Sequence, residues 1–99
     1  MTMQPGPELD AAVSRALGRS EEYDAIYGWM PSTDANAALE SAEIVFADYD
    51  LCREGKLYYV DGMKPVKGEP GMVEPFNGPK CKTPAHAICL AILEAKEQA

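Results

Sequence analysis

The sequence predicts an α+β domain, a small α-β-α sandwich in which about three helices pack on an antiparallel sheet of about three strands. Three observations carry that expectation. Two stretches, 35–46 and 84–95, repeat apolar residues at helical spacing behind polar helix starts. Between them, residues 47–60 alternate polar and apolar side chains around a glycine, the pattern of a β-hairpin. The chain has 99 residues, 46% hydrophobic and 25% charged, which is the size and composition of one globular domain with a thin core.

The elements follow in order. Residues 1–6 read as a flexible tail, and 7–99 as the single domain. Leu9, Ala12, Val13, Ala16 and Leu17 form one helical face over 8–17, closed by Gly18. Ser20, Glu21 and Glu22 open a short helical turn confined by Gly28 and Pro31. Within it, Ile26 and Trp29 are expected in the core, while the sequence leaves Tyr23 and Tyr27 open between core and surface. In PSTDANAALESAE, residues 31–43, Ser32 or Thr33 is expected to cap the following helix, with Asp34 adding negative charge at the positive end of its dipole. Ala35, Ala38, Leu39, Ala42, Val45 and Phe46 supply its apolar face.

Residues 47–52 and 56–60 are the expected hairpin strands, with Arg53, Glu54 and Gly55 as a three-residue turn. Residues 61–80 hold four prolines and four glycines and read mainly as loop, with one short strand near Met72–Phe76 added to the hairpin edge. Thr83 caps the last helix and Pro84 takes its first position. That helix is apolar nearly all round through Leu93, so it belongs between other layers.

The net charge is −7, and it is uneven. Residues 1–50 hold ten acids against Arg15 and Arg19, whereas the second half is nearly balanced. A protein of this charge is repelled by nucleic acid at long range, so direct DNA or RNA binding is not expected. No apolar run is long enough to span a membrane and the N-terminus lacks the features of a secretion signal, so a cytoplasmic protein is expected.

Chemistry-bearing residues are few. Cys52, Cys81, Cys89 and the lone His86 lack zinc-site spacing, and no metal or cofactor is expected. Ser32 has no nucleophile elbow around it, and the only histidine is remote. Asp48, Asp50 and Glu54 suggest metal hydrolysis, but carboxylates on a strand more often face water. An enzyme is therefore not expected. Two binding sites remain. Glu21, Glu22, Tyr23, Asp24 and Tyr27 combine acids and aromatics in an acidic half and are the expected partner-binding residues. Lys80, Lys82 and Thr83, before the last helix, form an alternative cradle for a nucleotide or other small anion.

VSRALG at 13–18, PSTDANAALESAE at 31–43 and KTPAHAICLAILEA at 82–95 resemble, in order and chemistry, the phage ABA sandwich domain family. The resemblance covers most of the chain and is concentrated at two helix starts. Leu39 stands where the family commonly has tryptophan, and RSEEYDAIYGWM and the 61–80 loop have no counterpart. The resemblance implies an α-β-α sandwich, a phage or prophage origin and a small accessory protein without catalytic residues. Joined to the acidic charge, it leads to a non-enzymatic inhibitor of a host antiviral defence protein, anti-CRISPR-like, occupying the basic channel of a CRISPR effector or nuclease in the cytoplasm of the infected cell. A virion component is a weaker alternative. A homodimer is compatible with the thin core.

Overall fold

The computed structural model describes residues 3–66 and 68–97. The chain runs α1 (Pro7–Ala16), α2 (Glu21–Ile26), α3 (Ala35–Val45), β1 (Asp48–Glu54), β2 (Leu57–Pro65), β3 (Val73–Asn77) and α4 (Pro84–Glu97). It is the expected α+β domain, with four helices and one antiparallel sheet, in the order β1-β2-β3, among the described residues.

Helix α4 is the centre of the molecule. It packs against β2 on one side and against α1 and α3 on the other. Residues 85–92 are all buried, which explains why the sequence is apolar around nearly its whole circumference. Leu9 and Val13 of α1, Ala38 and Ala42 of α3, and Val60 and Phe76 of the sheet close on it. Gly78 lets the chain pass closely: a Cβ there would stand 3.0 Å from the Ala91 Cβ. No helix among the described residues is long and apolar enough to cross a membrane.

The hairpin register differs from the expected one. Glu54 pairs with Leu57, so the loop is the two residues Gly55 and Lys56. Gly55 has φ 64°, as the first position of a type II′ turn requires. The strands are longer than the sequence suggests: β2 runs to Pro65, and β3 pairs with its second half. Even-numbered residues of β2 face α4. Odd-numbered ones, from Leu57 to Pro65, line a half-buried to exposed outer face.

The start of the chain is more tied down than a flexible tail. Met1 and Thr2 lie outside the described residues. Met3 packs against the core, its carbonyl 2.7 Å from His86 Nε2, and the Gly6 N–H donates to Ser32 Oγ at 2.9 Å. Ser32 is consequently not the cap of α3. Its own N–H donates to Asp10 Oδ1, and it is almost fully buried. Thr33 does not cap the helix either; its hydroxyl lies 3.5 Å from the Met30 carbonyl. Asp34 is the cap, accepting from the amides of Asn36 and Ala37.

Candidate functional site

The expected partner-binding residues lie on α2 and its C-terminal cap, a six-residue element with polar anchors at both ends. Ser20 Oγ accepts the Tyr23 amide at the start. Gly28, at φ 74°, ends it, and the Trp29 amide reaches back to the Asp24 carbonyl. Helix α1 ends the same way: Gly18 and Arg19 amides bond the Arg15 and Ser14 carbonyls. The two caps bring Arg19 and Trp29 together beside α2.

One side chain fixes which way α2 faces. Asp24 is buried, and its carboxylate accepts bonds from Ser14 Oγ and from Nε and Nη2 of Arg19, each 2.8 Å. The Arg19 guanidinium also lies over the Trp29 ring, 4.1 Å from its centroid. The Arg19 hydrogen bonds hold the Asp24 carboxyl below the usual carboxylate range; burial opposes them and the Ser14 bond assists. Arg19 is raised in turn by the same pairing.

With Asp24 turned inward, the rest of the helix faces water. Tyr23 and Tyr27, one turn apart, are in ring contact, with centroids 4.4 Å apart and planes tilted by 34°. They are 58% and 71% exposed, and Ile26 between them is 78% exposed, the opposite of the core position expected for it. Met30, beyond the cap, is also exposed. Trp29, expected in the core, is half-buried against its edge. On the opposite side of α2, a cleft of about 460 Å³ opens between α1, α2 and the segment leading to α3; Pro7, Ala11, Ala25, Trp29 and Met30 are among its walls, and Tyr23, Ile26 and Tyr27 are not.

The acids of this region do not act as a block. Asp24 is neutralised inside, so it offers no charge to a partner. Glu21 is ion-paired with Arg15. Glu22 is exposed and makes no ion pair among the described residues. Among the described residues, the site is thus an aromatic and aliphatic surface on which Glu22 is the carboxylate outside any ion pair. Ile26 and the two arginines that pair its acids, Arg15 and Arg19, are its overlooked members. The Arg19-to-Asp24 spacing is the available signal, since it offers a partner that buries the acid.

The alternative anion cradle is not assembled. Lys80 Nζ pairs with Glu54 at 2.6 Å, on the hairpin. Lys82 is exposed, and Thr83 Oγ1 is occupied as the cap, accepting the His86 amide at 3.2 Å. Asp48 and Asp50 share the outer face of the sheet, as their alternation implies. Among the described residues, no three His, Cys, Asp or Glu side chains are grouped to hold a metal ion. Burial pushes the Cys81 thiol up, and that of Cys89 up to about 12. Comparison with protein-family models, with curated proteins and with solved structures gives no match.

Proposed function

We propose that the chain is a non-enzymatic module that binds another protein through the exposed face of α2 and its cap Tyr27. The observation that carries this reading is the exposed group of Tyr23, Ile26 and Tyr27 on one face of α2. Isolated exposed apolar residues are ordinary, but Ile26 beside two tyrosines in ring contact has the composition of an interface hot spot. The tyrosines give contact area with few rotatable bonds. Glu22, at the rim, adds steering charge.

The partner class comes from the resemblance: a host antiviral defence protein, such as a CRISPR effector or nuclease, met in the cytoplasm of an infected bacterium. The contact supported here is apolar first. Imitation of nucleic-acid phosphates needs several free acids, and this surface retains Glu22.

The test is retention of a host protein from nuclease-treated bacterial lysate by tagged wild type and by Ile26→Asp, with matched thermal melts. The reading expects a stoichiometric partner that survives high salt and is lost from the variant. Equal retention by Ile26→Asp refutes this surface, and release by salt alone restores the charge-based contact.

A further inference from the structure

The two edges of the sheet differ. On one side, β3 is five residues long with Pro75 at its centre. Proline has no N–H to offer, so that edge is blocked. On the other side, β1 runs seven residues without proline and pairs residue for residue with β2. Among the described residues, no other strand pairs with it.

The register shows which backbone groups of β1 are free. Tyr58 exchanges both of its backbone bonds with Cys81, at 2.7 and 2.8 Å, and the Val60 carbonyl accepts the Gly78 amide. These residues of β2 therefore point their backbone groups away from β1. Their partners Arg53 and Leu51, and by alternation Tyr49, turn N–H and C=O outward along the open edge. The outer face beside that edge carries Asp48, Asp50 and Glu54 on β1, and Asp61 directly opposite Asp50. Glu54 is engaged with Lys80. On the other face, Leu51 is 37% exposed.

We propose that the β1 edge accepts an extended segment of another protein as a fourth strand. That segment alternates basic side chains, which meet Asp48, Asp50 and Asp61, with apolar ones, which meet Leu51. Backbone bonds to Tyr49, Leu51 and Arg53 supply the pairing, and the acids select the sequence. A second copy of this chain is a poor occupant. Antiparallel self-pairing centred on Leu51 sets Asp48 against Glu54; centred on Asp50 it sets two Asp50 side chains face to face; centred on Cys52 it sets Asp50 against Glu54. Like charges directly opposite are destabilising.

The experiment is an amide NMR titration of the full chain with three synthetic ten-residue peptides: alternating Lys-Val, the same peptide with a central proline, and alternating Glu-Val. The Lys-Val peptide should shift and protect the amides of Tyr49, Leu51 and Arg53. The other two should bind at least tenfold more weakly. Leu51→Pro removes an N–H that faces the open edge and breaks no ladder bond, so the variant should fold and lose peptide binding. Asp48→Lys with Asp50→Lys keeps the backbone and should weaken binding at least tenfold, which decides the matter if Leu51→Pro does not fold. Ile26→Asp should bind the peptide like wild type, so the outcome is independent of the α2 surface. Equal binding of the proline or Glu-Val peptide, shifts centred away from β1, or a dimer formed through these amides overturns the proposal.

Discussion

Replacing Asp24 by Ala tests whether one buried carboxylate holds α2 to the domain. Three hydrogen bonds are lost, one from Ser14 and two from Arg19. Removing one partner of a fully buried ion pair costs about 3–5 kcal/mol. The Arg19 side chain is 41% exposed, so water recovers part of its hydration. The expected loss is therefore about 2–3 kcal/mol. For a domain of about a hundred residues that corresponds to a fall in Tm of about 10–20 °C. The pH dependence separates charge from shape. The native pKa of Asp24 is depressed below its ordinary 3.8. Its stabilisation is then complete above the unfolded value and fades as pH falls through the native one. Thermal unfolding followed by circular dichroism from pH 7 to pH 2.5 should show a constant gap between wild type and Asp24→Asn down to about pH 5, closing at the acid end. A Tm for Asp24→Ala within 2 °C of wild type, or an Asp24→Asn gap independent of pH, would refute the reasoning.

Gly62→Ala should cost about 3 kcal/mol or more in urea unfolding. Its Cβ would stand 2.3 Å from the Asp48 carbonyl oxygen and 2.8 Å from the Tyr49 Cα, backbone that cannot step aside cheaply. Asp34→Ala removes the cap of α3 and should lower stability by about 1 kcal/mol, seen as a shifted denaturation midpoint. In a thiol-labelling time course at pH 8, the half-exposed Cys52 should react first. Cys81 and Cys89, buried and held as thiols, should wait for unfolding, so Cys52→Ser should abolish the fast phase.

Helix ends with local chemistry were legible in the sequence. Gly18, Gly28 and the Thr83-Pro84 pair mark the boundaries they suggest, because a positive φ or a missing N–H is settled within a few residues. The hairpin was legible only in part. A glycine with positive φ serves both the last place of a three-residue loop and the first of a two-residue one, and pairing across the sheet chooses between them. The cap of α3 was ambiguous for a longer-range reason. Ser32, Thr33 and Asp34 all carry suitable oxygens, but that of Ser32 is taken by Gly6, far away in the chain. The same applies to the candidate site. By composition, Ile26 belongs inside. The bonds from Asp24 to Ser14 and Arg19 instead turn α2 so that its acid is buried and its apolar residues are presented.

That inversion has an energetic corollary. A six-residue helix does not persist on its own, because its few internal bonds do not offset the entropy of nucleation. The rigidity of the tyrosine surface is thus borrowed from residues outside that surface: Ser14, Arg19, Asp24 and Trp29. A substitution among these four raises the fraction of molecules in which the platform is unformed. It thereby weakens every ligand of that platform by one common factor, whatever the ligand's own contacts.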